Sequence, residues 1–401
     1  MRTHEDRIFY YDASNGQTYS YSDLFKSLNM TSYEYENIYS NDIYRFFNRL
    51  LKSIILNKPQ ILIDNDSTLD PVNNDSGKNV HISSFDHFKE MLENSKSEIG
   101  LFTSGTTKKP SLIIHTVDKF INNARIGSKY SNNIWGFSYN PTHMAGMQVF
   151  FQAILNGNQI VDIYKKSKHH IIESLLKSEV THLSGTPTFF RLLVPMSEKF
   201  TAVSKVTLGG EPTSNNLINI LKSIFPNAKF NNIFASTEAG TIFASSDDTF
   251  NINDKIEPYI KIVNNELIIH KSILGKSDKI KTDWYKTGDI VEVICDNPKK
   301  VKFISRKKEV INVGGEKVNP NEVESIINSH PKVSFSKVFG KKNSVTGFLV
   351  VCQIKKIKNS KLSENDIREY LFNKGLEHYK IPRLINFIDQ IETTKTGKIK
   401  R

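Results

Sequence analysis

From residue 101 onward the chain alternates between short apolar runs and longer amphipathic ones. "SLIIH" (111–115), "NQIVDIY" (158–164), "SKVTLGGE" (204–211) and "AKFNNIFAS" (228–236) have the length and content of buried strands. Between them lie "MQVFFQAILNG" (147–157), "HHIIESLLKSEV" (169–180) and "NNLINILKSIFP" (215–226). Their apolar residues recur with helical period, and Gly157 and Pro226 are natural stops. Strand–helix alternation of this kind predicts a doubly wound parallel sheet. Past about Thr249 the texture changes. "PYIKIVNNELIIH" (258–270) reads as a hairpin around Asn264 and Asn265. "DIVEVI" (289–294) and "KVKFISR" (300–306) read as a strand pair around Asp296, Asn297 and Pro298.

The last segment has the pattern of a small α+β unit. "NPNEVESIINSH" (319–330) and "SENDIREYLFNKG" (363–375) are helical, the second with Ser363 as N-cap and Gly375 as stop. "SFSKVFGK" (334–341) and "TGFLVVCQI" (346–354) are strands. The expected fold is therefore α/β: a large N-terminal domain with a doubly wound parallel sheet and a β-rich portion, then a small C-terminal α+β domain. The polar stretch "DNDSTLDPVNNDSGKN" (64–79) reads as an exposed loop.

A chain of 401 residues is long for one core. With 38% hydrophobic and 24% charged residues it is globular rather than disordered. Its net charge of +12 suits an anionic partner. The lysines are scattered, without an aromatic–basic platform or a zinc pattern, which argues against nucleic acid. The two cysteines, Cys295 and Cys352, have no metal spacing and imply no disulfide framework. A reducing cytoplasm is the expected compartment. The N-terminus has no apolar signal core, and no run approaches a membrane span.

Six stretches hold candidate chemistry. "TSGTTKKP" (103–110) gathers the hydroxyls of Thr103, Ser104, Thr106 and Thr107 around Gly105, with Lys108 and Lys109 beside them. Hydroxyls, backbone N–H groups and cations can surround a phosphate; a polar surface turn has the same composition. "LGGEPTS" (208–214) places Gly209, Gly210 and Glu211 after a strand. "NIFASTEAG" (232–240) puts Thr237 and Glu238 at the C-terminal edge of the expected parallel sheet, where α/β folds bind ligands. Glu238 beside hydroxyls can hold Mg²⁺, or the segment is a solvated helix start. In "WYKTGDIVEV" (284–293), Asp289 follows a glycine and precedes a strand. "ISRKKEVINVGGEKVNPNEVE" (304–324) lies where the pattern changes, and "TTKTGKIKR" closes the chain.

In this order, the stretches resemble the adenylate-forming superfamily, which includes acyl- and aryl-CoA synthetases. The resemblance implies a division at 306/307: an AMP-binding domain, 1–306, with an abridged N-terminal subdomain, 1–100, and a mobile domain, 307–401. Thr103, Ser104, Gly105, Thr106, Thr107 and Lys108 would form the phosphate loop. Gly209, Gly210, Glu211, Phe234, Ala235 and Ser236 would line the adenine. Thr237 would contact the α-phosphate, Glu238 would hold Mg²⁺, and Asp289 and Arg306 would bind the ribose. Lys398 would be the catalytic lysine, Lys308 the hinge, and Gly314 and Gly315 the lining of a thiol tunnel. The sequence departs from the family at Lys108 and Ser111–Leu112 in the loop, and at Phe234–Ala235, where Tyr–Gly is usual.

The segment 140–157, "NPTHMAGMQVFFQAILNG", resembles the place where acyl- and aryl-CoA ligases carry a histidine, here His143. No aspartate stands in Pro141, Thr142, His143, Met144 to pair with an amino-acid ammonium. Met144, Met147, Phe189 and Phe190 would form an apolar pocket, or are plain core. The implied reaction is activation of a small-molecule carboxylic acid by ATP and Mg²⁺. Transfer to CoA, or to the phosphopantetheine of a free-standing acyl carrier protein, would follow. No carrier domain follows Lys398, so the acceptor would come from solution. The alternative is a degenerate, non-catalytic member that binds a nucleotide or acyl-adenylate; Glu238, Asp289, Arg306 and Lys398, all present, argue against it.

Overall fold

The computed structural model describes residues 4–30, 33–35, 37–39, 42–64, 73–75, 79–103, 110–390 and 394. Ser104, Gly105, Thr106, Thr107, Lys108 and Lys398 lie outside these residues.

The central sheet has eight strands, ordered Gly240–Ser245, Lys229–Ser236, Lys205–Gly209, His182–Gly185, Ile134–Phe137, Gln159–Asp162, Ile8–Asp12 and Thr18–Ser20. The inner neighbours pair in parallel; Gly240–Ser245 and Thr18–Ser20 close the two edges antiparallel. This is the sheet the strand–helix alternation predicts. The chain steps from Ile134–Phe137 to Gln159–Asp162 on one side, then to His182–Gly185 on the other. The order reverses there, which opens a crevice beyond the strands' carboxyl ends.

Helices form where the pattern expects them: Met144–Ile154, Lys168–Lys177 and Asn215–Ile224. Ser167 and Ser214 cap the latter two through their side chains. The first helix is almost wholly buried because it packs on Ile134–Phe137 and Gln159–Asp162 of this sheet and against the helix Val117–Asn123. Its Phe150 stacks on Phe47 at 4.1 Å and its Phe151 on Phe120 at 5.1 Å. Phe47 belongs to the amphipathic helix Ile43–Ile55. Truncating such a ring costs about 3–5 kcal/mol.

A second sheet joins Asn37–Tyr39, Gln60–Ile63, Glu98–Phe102 and Leu112–Thr116. The strand read from "SLIIH", Leu112–Thr116, therefore lies antiparallel to Glu98–Phe102 in this sheet, outside the parallel one. The stretch expected to be an exposed loop also contains a strand, Asn73–Asp75, paired with Tyr33–Tyr35. A backbone ladder of this length needs no apolar side chain.

The β-rich portion is a five-stranded antiparallel sheet, Thr249–Asn251, Lys299–Arg306, Trp284–Asp296, Glu266–His270 and Ile260–Val263. Asn264 (φ 51°) and Asn265 (φ 61°) turn its hairpin as expected. Asp289 does not precede the strand: Trp284–Asp296 begins five residues earlier, and Asp289 pairs within it opposite Arg306. The C-terminal unit, with strands Ile311–Val313, Glu316–Val318, Val333–Asn343, Gly347–Lys356 and Leu384–Phe387, has a core of its own. That core runs from Ile311 to Ile385 and includes Val338, Cys352 and Leu371. Ser363 caps Glu364–Asn373 in a full capping box with Asp366. Cys352 is buried and Cys295 exposed, both as free thiols. Among the described residues, no helix is long and apolar enough to cross a membrane.

Candidate active site

The carboxyl ends of four parallel strands deliver the candidate groups. Ile134–Phe137 leads to His143, His182–Gly185 to Thr188, Lys205–Gly209 to Glu211, and Lys229–Ser236 to Thr237 and Glu238. Strand-end loops carry side chains because the strands behind them are packed on both faces and fixed.

The turn after Lys229–Ser236 is held at several points. Ser236 Oγ accepts from the Ala239 N–H at 3.1 Å. Glu238 O accepts from the Gly275 N–H at 2.8 Å, and Thr237 O lies 2.8 Å from His115 Nε2. The Tyr285 hydroxyl donates to Glu238 Oε1 at 3.3 Å. Burial first, then Glu238, raises the Tyr285 pKa, so the phenol keeps its proton. Arg306 and Asp289 act on the same phenol electrostatically. Arg306 Nε lies 3.0 Å from Asp289 Oδ1, and the Asp289 side chain is buried. Glu238, Tyr285, Asp289 and Arg306 thus stand in one neighbourhood. A carboxylate flanked by hydroxyls is a donor set for a hard cation. Among the described residues no cluster of three His, Cys, Asp or Glu forms a metal cage. One carboxylate fits Mg²⁺, which completes its shell with phosphate and water.

Thr103 marks the base of the candidate phosphate loop. Its N–H bonds Ser111 O at 2.9 Å, and its Oγ1 accepts from the Ser111 N–H at 3.1 Å. Lys279 Nζ lies 3.5 Å from the same hydroxyl, a cation that the motif does not contain.

The adenine candidates are partly committed to the fold. Glu211 Oε2 accepts from the Thr188 N–H at 3.0 Å, at the start of Pro187–Leu193. Tyr139 is buried beside Glu211, and burial pushes its pKa up to about 12. Gly209 ends its strand against Ile233 O, and Gly210 turns the chain at φ 84°. The Phe234 ring joins Phe243, Phe250 and Phe303 at centroid distances of 5.7–6.2 Å. Ala235 pairs with Thr241 in the strand edge.

The apolar pocket expected from four side chains is not assembled from all four. Met147 and Phe190 are fully buried in two different cores, and Phe189 packs against the second. Met144 lies near the turn: its sulfur is 3.8 Å from where a Gly240 Cβ would be. Gln148, one helical turn on, stands 3.2 Å from that point and accepts from Thr241 Oγ1 at 3.3 Å.

An aspartate does stand beside His143. Asp64 follows the strand Gln60–Ile63, and its Oδ1 accepts from Asn140 Nδ2 at 2.7 Å and Thr142 Oγ1 at 3.2 Å. Its Oδ2 lies 3.6 Å from His143 Nε2, which is buried and, among the described residues, makes no hydrogen bond. The motif around His143 could not reveal it. The available signal was an acidic residue ending an apolar strand. His115 and Tyr285 were likewise missed; the signal for His115 was one polar residue inside "LIIHT".

Lys308 is exposed in a turn whose flanks are bonded: the Lys307 N–H to Gly288 O at 2.8 Å, and Lys307 Nζ to Glu266 Oε2 at 3.2 Å. Gly314 (φ 60°) and Gly315 (φ 98°) turn the hairpin between Ile311–Val313 and Glu316–Val318. Their left-handed conformations suit glycine at both positions of the turn.

Comparison with known proteins agrees with this geometry. Residues 52–266 match the family model described as AMP-binding enzyme, and residues 322–398 the one described as AMP-binding enzyme C-terminal domain. The 2-succinylbenzoate–CoA ligase of Staphylococcus epidermidis is 22% identical over 358 residues, 79% of this chain and 73% of that protein. Its counterpart from Staphylococcus aureus is 26% identical over 329 residues; the match spans 75% of this chain but 65% of the relative's length. The solved o-succinylbenzoate CoA synthetase of Bacillus subtilis, holding its acyl-adenylate intermediate, superposes with a TM-score of 0.69 at 17% identity. It covers 98% of this chain and 94% of that one. ATP-bound MatB from Rhodopseudomonas palustris superposes at 0.73 and 13% identity, with the same coverage. At these identities the superpositions establish the fold.

Proposed function

The chain belongs to the AMP-binding enzyme family, and on that premise we propose that it is an AMP-forming acid–thiol ligase. A carboxylate oxygen attacks the α-phosphorus of ATP, pyrophosphate leaves, and an acyl-adenylate remains. The sulfur of a pantetheine thiol then attacks the acyl carbon and AMP leaves. The observation that carries this reading is the shared neighbourhood of Glu238, Tyr285, Asp289 and Arg306 at the carboxyl edge of the parallel sheet.

Each group has a task there. Thr237 contacts the α-phosphate, and Asp289, held by Arg306, accepts from the ribose hydroxyls. Glu238 would hold Mg²⁺, and the ion would supply positive charge to the phosphates. The loop 103–110 grips the β- and γ-phosphates, with Lys279 at its base. Gly209, Gly210 and Phe234 flank the base. Lys398, from the C-terminal unit, neutralises charge on the attacked phosphate. The domains divide at 306/307, with Lys308 as hinge.

The substrate we propose is an aryl carboxylic acid that carries a second polar group, facing His143. The named relatives put 2-succinylbenzoate first on the panel. CoA is the acceptor proposed, and an acyl carrier protein is tested beside it. The direct test is trapping with hydroxylamine: an acid-dependent hydroxamate forms with MgATP, and CoA diverts it to a thioester. Nucleotide binding without hydroxamate from any acid would instead identify a non-catalytic member.

A further inference from the structure

His115, a buried ionisable group outside the assigned machinery, touches it directly. It lies on Leu112–Thr116, the strand that leaves the phosphate loop, and it is 97% buried, the relative exposure being 3%. Its Nε2 is 2.8 Å from Thr237 O. A carbonyl oxygen only accepts, so Nε2 carries the proton. The same strand bonds the segment beyond the metal turn in both directions: the Ile114 N–H to Lys276 O at 2.9 Å, and the Lys276 N–H to Ile114 O at 2.8 Å. The Gly275 N–H, next in line, bonds Glu238 O at 2.8 Å. Both carbonyls of the Thr237–Glu238 pair are thereby pinned from one side. The fit also demands a glycine at 275. A Cβ there would lie 2.6 Å from His115 Cε1 and 2.8 Å from Nε2, closer than atoms can pack.

We propose that His115 is a positioning residue that locks the strand leaving the phosphate loop to the Thr237–Glu238 turn, so that the phosphate grip and the metal carboxylate are held in one register. The inference rests on Glu238 as the metal carboxylate. A shift of about 1 Å in a charged ligand is enough to lose much of its effect. A hydrogen bond that fixes its backbone therefore acts on metal binding without touching the metal.

The test uses Mn²⁺, whose bound fraction is read by electron paramagnetic resonance, with a non-hydrolysable ATP analogue. His115→Gln and His115→Asn bury the same amide. Glutamine's nitrogen reaches the position of Nε2, whereas asparagine's stops near Nδ1. H115Q is expected to bind Mn²⁺ within about threefold of wild type, and H115N more weakly by about tenfold, the size of one lost hydrogen bond. A histidine that only fills space would not separate the two. Equal binding by all three proteins, or equal loss in both variants, overturns the proposal. Nitrogen-15 NMR of histidine-labelled wild-type protein supplies an arm that needs no variant to fold. The Nε2–H tautomer at His115 supports the proposal, and the Nδ1–H tautomer overturns it. Wild-type binding of Mn²⁺ that Glu238→Gln leaves unchanged would overturn the reading of Glu238 itself, and the inference with it.

Discussion

In the role proposed for it, Glu238 presents a charged oxygen to a cation while its own backbone stays still. Tyr285 fixes one carboxylate oxygen, and the bonds to Gly275 and His115 fix the chain around it. Glu238→Gln keeps the shape and removes the charge. Adenylation is expected to fall by about 10²–10³, the cost of losing one pre-organised electrostatic group, with circular dichroism unchanged. Near-normal pyrophosphate exchange would refute the assignment. At the acyl side, Asp64→Asn keeps an acceptor for Asn140 and Thr142 but replaces the carboxylate that faces His143. The expected result is about a tenfold rise in KM for the acid with KM for ATP unmoved. Free amino acids are expected to exchange poorly: Asp64 already accepts from Asn140 and Thr142 and faces His143, so a substrate ammonium would have to displace them. The residues that motifs name were legible because their chemistry is local. Asp64 was not, since it meets its partners from 76 and 78 positions away.

At the scale of elements, Gln159–Asp162 and Lys205–Gly209 were legible as buried apolar runs and Lys229–Ser236 by its place in the alternation, whereas the parallel strands Ile8–Asp12, Ile134–Phe137 and His182–Gly185 were not read from the sequence. The strand order was not legible either, because the reversal beside Ile134–Phe137 comes from packing rather than from any one segment. Asp289 moved from the start of a strand to its interior for a related reason: "WYKTG" extends the ladder although its residues look like a turn. The hinge gives a sharper test of an element. Among the described residues, no hydrogen bond uses the Lys308 N–H. Lys308→Pro therefore acts through a fixed φ and through its constraint on Lys307. It is expected to spare adenylate formation and to cripple thioester formation, with Lys398→Ala doing the reverse when supplied with synthetic adenylate. Equal loss of both half-reactions in both variants would remove the two-conformation mechanism. Gly315→Ala separates turn from tunnel. At φ 98° the added Cβ strains the hairpin, so a loss of thermal stability alone assigns the glycine to the turn. A selective loss of thioester formation assigns it to the tunnel.

The whole molecule joins a sheet-edge site to a C-terminal unit with its own core. That arrangement suits a reaction in two halves: pyrophosphate leaves before the thiol arrives, and one charged lysine is needed in only the first half. The net charge of +12 adds a general attraction for ATP and for CoA or an acidic carrier protein. The central claim is that the crevice at the carboxyl edge joins an acid to AMP. ATP–pyrophosphate exchange across a library of carboxylic acids, with 2-succinylbenzoate among them, measures that step alone. The account requires exchange that depends on one class of acid, stops when Mg²⁺ is chelated, returns when it is restored, and is lost in Glu238→Gln. Binding of ATP with no exchange for any acid in the library, at saturating Mg²⁺, would contradict it.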